Sequence, residues 1–216
     1  MKDPKLDHAS MAERRESMLE AAYRLFTKRS ITAVTLEEIA KEAGCGKKTL
    51  LRYYDSKPGL VIAVATLEWK RFLTENQKRR PTADFEGMTA AQIFEFYLDS
   101  FLNLYKNNRD LLRFNQFFNI YILSEEVEHG ALNPYEEMIE GLKGPFHKMY
   151  EIAKRDHTIR TDISEEEMFL STLHLMLAVV TRYAVGLVYQ PKKGFDAEKE
   201  LLIQKEALLS HYCTKR

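Results

Sequence analysis

Between Met18 and Phe26 the apolar residues Met18, Leu19, Ala22, Leu25 and Phe26 fall three and four apart, the spacing that lines one face of an α-helix. The same period returns at Leu36, Ile39, Ala40 and Ala43. Only nine glycines and six prolines punctuate the 216 residues, too few turn-formers for a β-sandwich or barrel. The chain is therefore expected to be all-α, with about nine to ten helices and no strand. A composition of 45% hydrophobic and 30% charged residues is that of a globular protein, and the length allows one or two domains.

The formal charge is zero overall but is unevenly spread. Residues 1–80 carry 17 Lys+Arg against 11 Asp+Glu, or +6, and residues 81–216 carry 15 against 21, or −6. A basic N-terminal part suits a polyanion, while an acidic remainder limits indiscriminate adhesion. Cys45 and Cys213 lie far apart, without a CxxC motif or a secretory leader, so the expectation is a reducing cytoplasm with neither a disulfide scaffold nor a zinc site. The most apolar stretch, Met168 to Tyr189, contains His174 and Arg182 and is expected to be a buried helix rather than a membrane span.

Residues 1–12 show no apolar period and read as a mobile arm, followed by a helix to about Arg29. Thr35-Leu36-Glu37-Glu38 has the pattern of a capping box, which opens a second helix that Gly44 stops. A short third helix spans about Lys47 to Tyr53, and Ser56-Lys57-Pro58 opens a fourth that Pro81 ends. The charge balance reverses near PTADFEG, giving boundaries of 1–57 for the N-terminal domain, 58–80 for a connecting helix and 81–216 for a second domain. Beyond it, helices are expected from Thr89 to about Lys106, from Arg109 to about Leu123, from Asn133 with a kink or split at Gly144-Pro145, from Ser164 to Tyr189 and from Asp196 to about Tyr212.

The stretch TLEEIAKEAGCGKKTLLRYY joins two helices, each too short to persist alone in water, through a glycine-rich turn. This is a helix-turn-helix pattern. Ile39, Ala40, Leu50 and Tyr54 knit its core, which leaves Lys47, Lys48, Thr49, Arg52 and Tyr53 for the outer side of the second helix. Lysines donate to guanine edges or phosphates, and hydroxyls donate to phosphate oxygens. Lys57, at the start of the fourth helix, would join this surface. A plain helical hairpin with a solvated basic corner fits the same spacing.

MLEAAYRLFTK followed by VTLEEIAKEAGCGKKTLLRYYDSKPGL resembles the TetR (tetracycline repressor-like) family of bacterial transcriptional regulators. The resemblance covers the helix-turn-helix and departs from the usual pattern at Ser30, Gly46, Lys48 and Leu51. It implies phosphate contacts by Thr35, Thr49, Tyr53 and Lys57, and base reading chiefly by Lys47 and Lys48. It also implies a homodimer on palindromic double-stranded operator DNA, with a C-terminal ligand-binding and dimerisation domain that a small organic effector enters to release the protein.

Nine aromatic residues fall between Phe94 and Tyr121. Phe101, Tyr105, Phe117, Tyr121, Met138, Met149, Phe169, Leu173, His174 and Met176 are candidate lining for an effector pocket, although an aromatic stripe at helical spacing also makes ordinary core. By family analogy the last two helices dimerise, with Leu177, Ala178, Val180, Ala184, Leu187, Leu201, Leu202, Leu208 and Leu209 as the candidate interface, or else as packing within one subunit. Glu125 and His129 sit one turn apart, but no second pair at ligand spacing accompanies them, so no metal or other cofactor is expected. Cys45 reads as a packing residue, with oxidation sensing as the alternative. No Gly-rich phosphate loop, Gly-x-Ser-x-Gly or nucleophile-base pair is visible, so no catalytic residue is assigned. An enzyme acting on an anionic substrate and a helical protein-interaction module stand as the competing readings.

Overall fold

The computed structural model describes residues 4–80, 85–128, 130–187, 189 and 194–214. Pro81 and His129 lie outside the described residues. The described chain folds into α1 (Pro4–Phe26), α2 (Leu36–Glu42), α3 (Lys47–Tyr54), α4 (Lys57–Lys78), α5 (Ala90–Asn107), α6 (Arg109–Ser124), α7 (Asn133–Glu140), α8 (Lys143–Asp156), α9 (Glu165–Val185) and α10 (Ala197–Tyr212). A 3-10 turn at Ile31–Ala33 links α1 to α2. Among the described residues there is no strand, only an isolated bridge between Ile159 and Cys213.

Three boundaries differ from the sequence-based expectation. Helix α1 begins at Pro4, so most of the expected arm is helical. Proline suits a first turn, and residues 11–17, on the same helix, are all exposed, so no apolar period marked the extension. The break expected at Gly144-Pro145 falls earlier, at Gly141 and Leu142, and Pro145 sits in the first turn of α8, where its missing N–H is tolerated. Helix α9 stops at Gly186, whose φ of +107° only glycine adopts readily, and does not reach Tyr189.

Two compact units emerge from the packing. The first holds residues up to 70 together with 113–136. Helix α1 buries Met18, Ala21, Ala22 and Phe26, α2 buries Ile39 and Ala40, and α3 buries Leu50 and Tyr54. The rings of Tyr23 and Phe26 meet Phe114 of α6 at 5.6 and 6.1 Å. Trp69 of α4 donates its indole N–H to the Asn115 side-chain oxygen at 3.2 Å in a buried setting. Residues 113–136, which the charge reversal had assigned to the C-terminal part, thus pack with the N-terminal helices.

The second unit holds residues 71–112 and 137–216. Helix α5 is its centre, packed by α8, α9 and α10. Phe94 meets Phe146 of α8 at 6.3 Å and Tyr212 of α10 at 5.7 Å, and Phe146 meets Phe169 of α9 at 5.3 Å. Asp156, at the end of α8, accepts the Ala90 N–H at 2.8 Å, satisfying a donor that the start of α5 would otherwise leave unpaired. Lys205 of α10 bridges Asp99 at 2.6 Å and Glu95 at 2.9 Å on α5.

Helix α9 is long and apolar enough to cross a membrane. It buries Met168, Phe169, Thr172, Met176, Val180, Thr181 and Ala184 against its neighbours in this unit, as a core helix does.

Candidate nucleic-acid interface

Helix α2 starts on a complete capping box. The Thr35 hydroxyl accepts the Glu38 N–H at 3.2 Å, and the Glu38 carboxylate accepts the Thr35 N–H at 2.8 Å. Gly44, at φ +64°, supplies the left-handed residue that lets the chain leave α2, and the Cys45 N–H closes back on Ala40 at 2.8 Å. Helix α3 then begins after the N-cap Gly46, which offers no side-chain cap. Its first N–H groups, with the positive end of the helix dipole, therefore remain available to an anion. Tyr54 anchors the other end by donating its hydroxyl to the Arg15 carbonyl at 2.8 Å.

Surface ion pairs brace this frame. Arg24 meets Glu42 at 3.2 Å, Arg29 meets Glu38 at 2.7 Å, and Lys47 meets Glu37 at 2.6 Å. The Arg29 guanidinium beside Glu38 and the two bonds from Thr35 hold that carboxyl well below its usual range, at about 2. Arg29 also donates to the Ala33 carbonyl.

Lys47, Lys48 and Arg52 are exposed on α3, with Thr49 and Tyr53 half-buried on the same helix. Tyr53 lies beneath two cations, the Arg52 guanidinium at 5.6 Å and that of Arg15 at 6.0 Å. Arg15, absent from the sequence-based candidates, thereby joins the cluster; no apolar or motif signal marked it. Lys47 is tied to Glu37, so its ammonium must exchange one anion for another to reach a phosphate or a base. The Thr35 hydroxyl is likewise engaged by the cap. Lys57 departs furthest from expectation: it is half-buried, with its ammonium 5.3 Å from the Tyr121 ring centre. Burial lowers its pKa, while Glu125 and Glu38 pull in the other direction. Burial also pushes Tyr121 up to about 12, with the Glu125 charge adding to the shift. Cys45 is half-buried and desolvation raises its thiol pKa, the opposite of what a reactive thiolate needs.

The candidate pocket residues divide between the units. Phe117 and Tyr121 belong to the first, and Phe101, Tyr105, Met138, Met149, Phe169, Leu173, His174 and Met176 to the second. Met149 and Met176 are fully buried core. Phe169 lines a cleft of about 290 Å³ with Lys143, Phe146, Glu165 and Glu166. Tyr105 lines another of about 420 Å³ with Arg79, Lys106 and Leu202. His174, expected to line a pocket, is instead exposed.

The candidate dimer residues also divide. Val180, Ala184, Leu201 and Leu208 are buried within their own subunit and cannot offer area to a partner. Ala178 and Leu202 are exposed, and Leu177, Leu187 and Leu209 are half-buried. Sequence reasoning missed three exposed apolar side chains on the same two helices, Leu175 and Val185 on α9 and Ile203 on α10. With Ala178 and Arg182, the first two make a stripe along α9 at helical spacing, a signal present in the sequence but hidden by the apolar character of the whole helix.

The family model described as "Bacterial regulatory proteins, tetR family" matches residues 18–64, which run from α1 through the helix-turn-helix into α4. An uncharacterized HTH-type transcriptional regulator of Mycobacterium tuberculosis is 45% identical over 56 residues, 26% of this chain and 28% of the relative. The chain thus spans little more than a quarter of the length of the first curated relatives it matches. Among solved structures, a TetR transcription regulator from Haloarcula marismortui superposes with a TM-score of 0.71 at 16% identity, over 94% of this chain and 100% of that one. A Bacillus subtilis regulator, FadR, solved in complex with stearoyl-CoA, superposes with a TM-score of 0.68 at 15% identity, over 90% and 97%. The fold is shared along nearly the whole chain, and these relatives are regulators rather than enzymes. Residues 18–64 are thus similar to the tetR family of bacterial regulatory proteins, and nearly the whole chain shares the fold of these solved regulators.

Proposed function

We propose that the protein is a dimeric repressor that grips a palindromic operator with α3 and lets go when a small organic effector enters its larger unit. The observation that carries this reading is the uncapped, lysine-tipped start of α3, held by buried Leu50 and Tyr54 in a family whose shared feature is this helix-turn-helix. In the reading, Lys47 and Lys48 address base edges. Thr35, Thr49, Arg52, Tyr53 and Lys57 address phosphates, with Lys57 turning away from Tyr121 to do so. Twofold symmetry would set the two copies of α3 about 34–36 Å apart, one turn of the duplex, so a small change in their separation weakens binding. The effector acts by favouring one separation over the other. Because the Bacillus subtilis neighbour holds stearoyl-CoA, acyl-CoA thioesters are a reasoned start for a release screen. Regulation of this kind takes place in the cytoplasm.

The test is selection of an operator from a random duplex pool, followed by affinity measurements across salt. A dimer neutralising about six to ten phosphates loses about 10³- to 10⁵-fold in affinity between 50 and 200 mM salt. Lys57→Ala should weaken all duplexes alike, whereas Lys47→Ala should change which sequence is preferred. Failure to bind any duplex at low ionic strength would leave the protein-interaction reading in its place.

A further inference from the structure

The geometry points to a divalent transition-metal site on the second unit, formed by His147 and Glu151 of α8 with Glu165 of α9, for which Zn²⁺ is the best-matched ion. One ligand atom from each of the three lies within 4.8 Å of the others. His147 Nδ1 stands 2.9 and 3.1 Å from the two Glu165 carboxylate oxygens. With metal–ligand bonds of about 2.0–2.2 Å, ligand atoms on a tetrahedral metal sit about 3.3–3.6 Å apart, so this hydrogen-bonded pair needs to open by only about half an ångström to admit the ion. His147 and Glu151 are four residues apart on one face of α8, and Glu165 is the first residue of α9. A rotation of the Glu151 side chain therefore closes the set without moving either helix.

A cation already stands at this place. The Lys154 ammonium lies 2.5 Å from Glu151, so the cluster holds positive charge in its metal-free form. Lys143, beside it, is paired instead with Glu140 at 2.9 Å. One imidazole with two carboxylates is too nitrogen-rich for Ca²⁺ or Mg²⁺ and too hard for Cu⁺, which leaves Zn²⁺ and its neighbours. On binding, any proton between Nδ1 and Glu165 passes to Nε2 or to solvent, and the metal takes its place. The coordination positions left over adjoin the cleft of about 290 Å³ that Glu165 shares with Phe146 and Phe169. Water or an anionic group can fill them. Occupancy would pin the start of α9 to α8, independently of DNA binding.

The test uses the full chain, stripped with chelator, dialysed, and titrated with ZnCl₂ by calorimetry and with CoCl₂ by visible absorption. Wild type should take one Zn²⁺ at this site, with thermal stabilisation. His147→Ala and Glu165→Gln should each weaken binding at least about tenfold and abolish that stabilisation. His174→Ala should leave binding unchanged. Lys154→Ala should bind about two- to fivefold tighter, because it frees Glu151 from the competing cation while leaving all three ligand side chains in place. Helical circular dichroism confirms that each variant is folded. Zn²⁺ affinity equal to wild type in both His147→Ala and Glu165→Gln would place the metal elsewhere, near Cys213 for example, and overturn the assignment. So would a wild type that takes up no Zn²⁺, or a Lys154→Ala variant that binds more weakly.

Discussion

Lys47 shows how a single side chain can be held ready without being committed. Its ion pair with Glu37 at 2.6 Å is exposed, and the same contact holds the Glu37 carboxyl below its usual range. An exposed pair of this kind is weak and yields readily to a phosphate of higher charge density. Glu37 also adds a repulsive charge at the surface assigned to DNA. Glu37→Gln is therefore expected to raise duplex affinity roughly two- to fivefold, with a steeper salt dependence, in fluorescence-anisotropy titrations. Unchanged or weaker binding would separate Lys47 from the DNA surface. Gly59, in the first turn of α4, makes a different demand. A Cβ there would collide with the Tyr54 carbonyl oxygen, a backbone atom that cannot swing aside. Gly59→Ala should cost about 1–3 kcal/mol and lower the melting temperature by several degrees. The sequence showed a glycine after Pro58, but nothing in it could show that this glycine faces the end of α3 at close range.

Among the elements, α2 was the most legible because its start is chemical rather than topological. Thr35 and Glu38 announced a capping box by spacing alone, and both halves of the box form. The box also has a pH signature. Glu38 titrates at about 2 in the folded protein against an ordinary 4.5, so its folded pKa is depressed. Stability from this group is complete above about pH 4.5 and is lost as pH falls toward 2. Glu38→Gln should therefore be less stable than wild type at neutral pH, with the gap closing over that window in urea melts followed by circular dichroism. A gap that stays constant with pH would assign the effect to packing instead. Helices α6 and α9 were harder to read. Their apolar spacing gave their existence and approximate length, but not which neighbour each face meets. Phe114 packs on Phe26, and Asn115 on Trp69, across more than forty residues of sequence. The exposed Leu175 and the buried Met176 are adjacent apolar residues on one helix, and composition cannot tell them apart. His147 and Glu151 do stand one helical turn apart in the sequence, so the expectation that no second such pair accompanies Glu125 and His129 overlooked them, and Glu165, contributed by the next helix, could be brought beside them only by the fold.

At the scale of the molecule, α9 and α10 present exposed apolar side chains to solvent. Leu175 is 40% exposed, Val185 44%, Leu202 44% and Ile203 59%, on two helices of one unit that pack together. Scattered apolar residues need no explanation, but Leu175, Ala178 and Val185 share one face of α9, and the neighbouring helix presents two more. Burying them against a second copy fits the twofold arrangement that operator reading requires, and a lasting dimer of this kind covers upwards of roughly 2,000 Å² in all. In the proposed dimer the consequence for DNA would be steep, because one α3 alone would hold half of the phosphate contacts and the second copy would bind at the effective concentration that the dimer sets. Leu175→Glu with Ile203→Glu is expected to give monomers in sedimentation-velocity runs, with helical content intact because both side chains already face solvent. The same variant should lose at least about a hundredfold in operator affinity while keeping weak, salt-sensitive binding to any duplex. A variant that remains dimeric would move the interface to another face, and one that is monomeric yet binds the operator as tightly as wild type would show that α3 acts alone.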